Sequence, residues 1–407
     1  MIVMNPLAVR GDYPPALRVG LDLDRAREMA RWLEGWSGLH PGPTPLRALP
    51  GLAARLGLGE LHLKDESCRS PLGSFKALGA PAALVRLAVD RLTDADPRRV
   101  LQGDYADALR DWVVTSATDG NHGRALAAAA RSAGCRCVIV LHAHVGQERE
   151  DAIAALGAEI VRVPGDYDAS VREAQRLAAQ HGWQVVSDTS YEGYEQVPRD
   201  VMQGYAVIAA EVMEQAGDRE PPFTHVVMQG GVGGFAAAIV SAFWQAYGAQ
   251  RPAFIVVEPV QADCLAQSAL AARPARASGS VDSVMAGLAC GETSPLAWRF
   301  LQPGVEAFAT VEDEVAVQAL RILAQGSRDD PPVLAGESGG AGVAALLSLA
   351  GTPQAQTLGL GHDARVLAIN TEGATAPQLY ASLAGRKAAD VLAAQAAFLQ
   401  GFRTQPT

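Results

Sequence analysis

The feature that most constrains this chain is the alternation of β-branched runs with helical patterns between residues 112 and 188. WVVTSA (112–117), CVIVL (137–141), EIVRV (159–163) and WQVVSD (183–188) read as strands. HGRALAAAARSAG (122–134), EREDAIAALG (148–157) and YDASVREAQRLAAQHG (167–182), which separate them, read as helices. Near-continuous apolar strands are buried on both faces, and a helical crossover lets each strand run parallel to the last. A second block begins near Gly193, with the helix PRDVMQGYAVIAAEVMEQ and the strand THVVM (224–228). The glycine loop QGGVGG, the helix FAAAIVSAFWQAYG and the strand AFIVVEP (253–259) follow, then a helix over 312–325 and the strand RVLAIN (365–370). Ahead of both blocks, LHLKDES (61–67) reads as a strand and the residues after Lys76 as a helix with Pro81 in its first turn. The expected fold class is α/β: two open twisted sheets with helices on both faces. The expected division is a small α/β domain, 83–192, set inside a larger discontinuous one, 1–82 and 193–407.

The length of 407 residues allows two domains, and 49% hydrophobic with 19% charged residues is ordinary for a globular protein. No apolar stretch is long enough to span a membrane, and the opening MIVMNPLAVRGDYPP lacks a secretory pattern. With a formal net charge of -10 and no Lys/Arg cluster, no nucleic-acid partner is expected. The five cysteines make no disulfide scaffold or zinc pattern, and Cys135 and Cys137 are expected to be buried thiols. The expected setting is a reducing cytoplasm, with no membrane association and no metal.

Four segments carry residues suited to chemistry. Lys76 follows a Gly-Ser turn in PLGSFKALG, inside otherwise apolar sequence, where an enclosed amine becomes an imine former. The run SATDGNHGR (116–124) joins a strand end to a helix start, where open α/β sheets gather ligands. Its Ser116, Thr118, Asp119 and His122 are candidates for holding a substrate carboxylate, Asn121 can donate to a ring hydroxyl, and Asp119 can equally cap the helix. In QGGVGGFA (229–236), Gly230, Gly231, Val232, Gly233 and Gly234 form a loop whose N–H groups suit a phosphate. The same stretch fits a dinucleotide pattern, with Glu258 as the ribose acid. Finally, SDTSYEGY (187–194) places Asp188 at the edge that carries Asp119, and NTEG (370–373) offers the Thr371 hydroxyl to a pyridine nitrogen.

Taken together, GSFKALGA, SATDGNHGRALA, SDTSYEGYEQVPRDVMQGY, QGGVGG, VMAGLACGE, GESGGAG and NTEG resemble the diaminopropionate ammonia-lyases, within the fold-type II (tryptophan synthase β-like) pyridoxal-phosphate enzymes. The resemblance implies a Schiff base between Lys76 and pyridoxal phosphate, the phosphate in the 230–234 loop, Asn121 at the cofactor hydroxyl and Thr371 near the ring nitrogen. It implies Asp119 and Asp188 as an acid/base pair, and a homodimer that converts 2,3-diaminopropionate to pyruvate and ammonia through aminoacrylate. It also brings Cys264 and Cys290 together near the site entrance. This chain has QGGVGGF where a less glycine-rich loop is expected.

The chemistry accords with these residue types. An amine leaves the β-carbon only once protonated, so a diamino substrate asks for an acid as well as a base. The rivals are a serine or threonine dehydratase and a β-replacement synthase on the same scaffold, a non-catalytic binding protein of this fold, and an NAD-dependent oxidoreductase that uses residues 231–236.

Overall fold

A computed structural model describes residues 1–118, 120–165 and 167–403, apart from the side chains of 168, 402 and 403. Among the described residues there are eleven strands. In chain order they are β1 (Ile2–Met4), β2 (Leu46–Ala48), β3 (Glu60–Asp65), β4 (Val113–Ala117), β5 (Arg136–His142) and β6 (Glu159–Val163). They continue with β7 (Gln184–Val185), β8 (His225–Gln229), β9 (Ala253–Pro259), β10 (Ala307–Val311) and β11 (Arg365–Asn370). Seven strands form one sheet in the order β1-β10-β9-β8-β11-β3-β2, and four form another in the order β6-β5-β4-β7. The small sheet is wholly parallel, whereas the large one is parallel inside and closed at each edge by an antiparallel strand, β1 or β2. The expected α/β class with two sheets is what the chain adopts.

The differences lie where local pattern and tertiary packing disagree. The run expected as a strand over 183–188 pairs only at Gln184–Val185; Val186 still donates to Thr115 O at 2.8 Å before the chain leaves the sheet toward Asp188. The helix expected through 198–215 is two helices, Gln196–Tyr205 and Val207–Gln215, meeting at Ala206. Pro81 is not in the first turn of its helix, Lys76–Arg91, but at the sixth residue, where it has no N–H to give the Ala77 carbonyl. β1, β2 and β10 were not expected: the first two have three residues each, too few to show a period, and AFATV is too rich in small residues. No helix among the described residues is long and apolar enough to cross a membrane.

Close helix packing brings Lys76 to the cleft between the sheets. The Lys76–Arg91 and Gln196–Tyr205 helices touch through glycines: a Cβ on Gly204 would lie 2.3 Å from the Leu78 carbonyl oxygen, and one on Gly79 would lie 2.3 Å from the Tyr205 ring. Backbone cannot yield as a flexible side chain would. Replacing Gly204 by Ala should therefore cost about 2 kcal/mol by overpacking, more than the roughly 1 kcal/mol that alanine contributes to a helix. A lower urea midpoint with an unchanged slope is the expected result for G204A; an equal or higher midpoint would contradict the close contact.

Candidate active site

Loops that leave the C-terminal ends of β3, β4, β7, β8 and β11 converge on one cleft of about 970 Å³, counting its open mouth. Parallel strands put all these ends on one side, so ligand-binding groups far apart in sequence meet there. The turn before Lys76 is stitched to the loop after β11: Phe75 N donates to Thr371 O at 3.0 Å, and Gly373 N to Gly73 O at 2.9 Å.

Lys76 and Asp188 meet in this cleft, with Nζ to Oδ2 at 2.5 Å and side chains 20% and 15% exposed. Burial works against the ammonium, but Asp188 and then Tyr205 outweigh it and hold Lys76 above the ordinary lysine range. Burial likewise opposes the Asp188 carboxylate, yet the Lys76 charge holds it well below the usual carboxylate range. The amine is flanked by two rings, with centroids 5.2 Å (Phe75) and 5.5 Å (Tyr205) from Nζ. His122 is buried, which lowers its pKa and favours the neutral ring. Its Nε2 lies 2.8 Å from Val186 O, so the tautomer assigned by that bond carries its proton there. Its Nδ1 then faces Asp188 Oδ2 at 3.7 Å with a lone pair.

Beside this cluster, Gly230, Gly231, Val232 and Gly234 border the cleft, and a Cβ on Gly234 would lie 3.5 Å from the Asp188 carbonyl oxygen. Gly231 and Gly233 have φ of 59° and 99°, a conformation in which only glycine is at ease, and the loop runs into the Gly234–Tyr247 helix. Gly233 stands behind the loop, donating to Gly230 O at 3.1 Å. A helix start approached by bare backbone suits a phosphate. Asn121 and Thr371 are also on the cleft wall, so an imine-forming amine, an anion cradle and polar groups for a ring face one space. That set fits pyridoxal phosphate.

Other expected residues are placed differently. Thr118 reaches the wall, but its Oγ1 accepts from Gly120 N at 3.1 Å and Gly123 N at 3.2 Å, shaping the loop. Ser116, expected at the substrate, is fully buried within β4 and off the cleft wall; its hydroxyl donates to Ala117 O at 3.2 Å. β4 is buried along its whole length, so Ser116 is enclosed within the sheet. Asp119 lies outside the described residues. Cys264 and Cys290 both border Gly231: Cys264 Sγ donates to its carbonyl at 3.6 Å, and Cys290 Sγ is 3.8 Å from where a Gly231 Cβ would be. Both are thiols.

Tyr205, Arg149, Ser338 and Glu372 also line the cleft and were not expected there. Glu372 was within reach of the sequence, because it follows Thr371 in NTEG; Arg149 sits in a short polar helix, Gln147–Ala154, and gave no signal.

The dinucleotide reading fails at Glu258. Its side chain is fully buried and accepts from Leu265 N and Ala266 N, both at 2.8 Å, so it anchors the start of the Cys264–Ala271 helix and is closed to a ribose. Burial pushes its carboxyl up from 4.5 to about 8, against the pull of the two N–H groups. A carboxyl whose pKa is higher folded than unfolded contributes stability below the unfolded value and loses it as pH rises through the folded one. Urea unfolding of the apoprotein should show such a loss between pH 4.5 and about 8, and E258Q should lack that part of the slope. Identical slopes in both proteins would contradict this placement.

Comparison with known proteins agrees with the geometry. Residues 38–390 match the family described as pyridoxal-phosphate dependent enzyme. Diaminopropionate ammonia-lyase of Escherichia coli (strain K12) is 39% identical over 338 residues, 82% of this chain and 85% of that protein. The enzyme of that name from Salmonella typhimurium is 37% identical over 349 residues, 83% of this chain and 86% of the relative. The crystal structure of the E. coli enzyme with an aminoacrylate-PLP azomethine reaction intermediate superposes with a TM-score of 0.82 at 35% identity, covering 94% of this chain and 96% of that one. Lys76, the glycine loop and the two-sheet architecture thus stand in a recognised context: the chain belongs to the fold-type II pyridoxal-phosphate dependent enzymes, in the family of the diaminopropionate ammonia-lyases.

Proposed function

We propose that this chain is a carbon–nitrogen lyase that eliminates ammonia from 2,3-diaminopropionate. The β-amine leaves as ammonia, and the released 2-aminoacrylate takes up water to give pyruvate and a second ammonia. The observation that carries this reading is the 39% identity to diaminopropionate ammonia-lyase across 82% of the chain. The charged Lys76–Asp188 pair in the cleft supports it.

When bound, pyridoxal phosphate supplies a sink for the electron pair left at Cα after deprotonation. The chain's own residues do the rest. Lys76 would hold the cofactor through its amine, and the 230–234 loop would take the phosphate on the N–H groups of Gly231, Val232 and Gly234, since those of Gly230 and Gly233 are given to Val257 O and Gly230 O. Thr371 would serve the ring nitrogen and Asn121 the ring hydroxyl. The loop shaped by Thr118 and backed by His122 receives the substrate carboxylate. Asp188, held ionised beside Lys76, is one base for the α-proton. His122 Nδ1, 3.7 Å from Asp188, can accept a proton passed on from that cluster. Asp119, between Thr118 and Gly120, is the second carboxylate.

The reading extends to a cytoplasmic homodimer acting on a small amino acid, without nucleic acid. It retains the division into 1–82 with 193–407 as the cofactor-binding domain and 83–192 as the small domain. The two sheets support this division, since the four strands of the small one all lie between Val113 and Val185.

A screen of both enantiomers of diaminopropionate, serine and threonine, with the 2-oxo acid as readout, tests the substrate. Diaminopropionate should give the highest kcat/KM, and faster turnover of serine would make the chain a dehydratase. A base must come within about 3 Å of the proton it removes, so one carboxylate cannot serve both enantiomers of a fixed substrate. D119N and D188N should accordingly shift the D/L ratio of kcat/KM in opposite directions, each by about tenfold or more. Equal losses for both enantiomers in both variants would sink the stereochemical assignment.

A further inference from the structure

Glu372 takes no part in the roles set out above, yet it is 3% exposed, lines the cleft and stands next to Thr371. Its two oxygens have separate donors. Asn121 Nδ2 donates to Oε2 in a short bond, and Ser338 N donates to Oε1 at 3.3 Å. The stem has little room to swing. A Cβ on Gly336 would come 3.1 Å from Glu372 Cγ, and one on Gly339 would come 2.3 Å from its carbonyl oxygen, so the glycines of GESGG let that loop close around it.

We propose that Glu372 is a positioning residue that fixes the side-chain amide of Asn121, locking which end faces the ligand. The inference rests on the reading of Asn121 as the contact for the cofactor hydroxyl. An amide has a donor end and an acceptor end of nearly the same shape, so packing alone does not choose between them. An ionised carboxylate only accepts, and it rejects the carbonyl end of Asn121. One Nδ2 hydrogen is thereby committed to Glu372, while the second remains for a ring oxygen.

Other charged side chains stand around Glu372. Arg124, on the same helix as Asn121, is a largely buried guanidinium on which the Glu372 charge acts. The neighbouring Glu337 is 1% exposed; burial, followed by the Glu372 charge, pushes its carboxyl up to about 7 although Arg149 Nη2 donates to it at 3.0 Å. Glu337 is thereby driven toward protonation. Asn121 and Arg149 come from helices around the small sheet, while Glu372 and Glu337 come from loops of the large one. The contact therefore sets the amide only when the cleft is assembled.

The test is the affinity of apoprotein for pyridoxal phosphate, read by absorbance titration and without turnover. N121A should weaken binding by about tenfold or more, the scale of a lost hydrogen bond to a charged group. E372Q keeps the shape but can face Asn121 with either end, so it should weaken binding at least about fivefold and broaden or split the cofactor absorbance band. In N121A/E372Q the affinity should match N121A within about twofold, because the second change acts through a group already removed. Full additivity, or E372Q within about twofold of the unaltered protein, would overturn the inference. N121A binding as well as the unaltered protein would instead overturn the reading of Asn121. Should E372Q fail to fold, N121D decides: it faces Glu372 with like charge and should bind cofactor worse than N121A, and equal binding would refute the contact.

Discussion

The contact on which the rest depends is the ion pair between Lys76 and Asp188. The two residues come from opposite sides of the cleft: Lys76 opens the helix that follows β3 of the large sheet, and Asp188 lies just past β7 of the small one. Each is a charge largely withdrawn from water, and each would be costly alone. The pair therefore ties the two sheets together at the point where chemistry is needed. It also keeps a carboxylate ionised within reach of the amine, and a neutral imidazole, His122, completes the cluster with a lone pair.

Much of the chain between β3 and Lys76 serves to deliver that amine. Arg69, 2% exposed, is bound by Glu66 Oε2 at 2.7 Å and Glu211 Oε2 at 2.6 Å; Lys64, fully buried, shares Glu211 at 2.6 Å. Each buried charge has an opposite partner, and Thr44 adds its carbonyl to Lys64 at 2.7 Å. Asp65 accepts from Asn370 Nδ2 at 2.9 Å, which joins the end of β3 to the end of β11. The Lys76 turn and the Thr371 loop thus start from a common frame, and the glycine contacts at Gly79 and Gly204 let the lysine helix settle without a gap. Parallel topology supplies the remainder, since the loops that follow β3, β4, β7, β8 and β11 leave on this side and face the same cleft.

The regular part of this arrangement was legible in the sequence. β-branched strands such as CVIVL and THVVM alternate with amphipathic helices, a pattern that fixes a parallel α/β fold with few alternatives. That Lys76, Asn121, Asp188, Thr371 and the 230–234 loop gather around one cleft was legible for a related reason: each follows a strand end or opens a helix, and such positions can be located from local pattern. What escaped depends on distant partners. Ser116 looked like a ligand because it begins the SATDGNHG run, but it sits inside a strand that is buried along its whole length. Glu258 looked like a ribose acid until the helix after β9 folded back onto it. Tyr205 and Arg149 enter the cleft only because two helices pack there, and neither spacing nor composition announces that. Glu372 was visible beside Thr371, yet its meaning depends on Asn121, 251 residues earlier.

The account stands on the claim that Lys76 is the residue joined to the cofactor, with Asp188 and the glycine loop arranged around it. Borohydride reduction of the holoprotein fixes such a linkage in place, and peptide mapping then locates it. The account predicts a single pyridoxyl-modified peptide containing Lys76, with no label in a protein carrying Lys76→Ala. A label on another lysine, or an unchanged label in that variant, would contradict it.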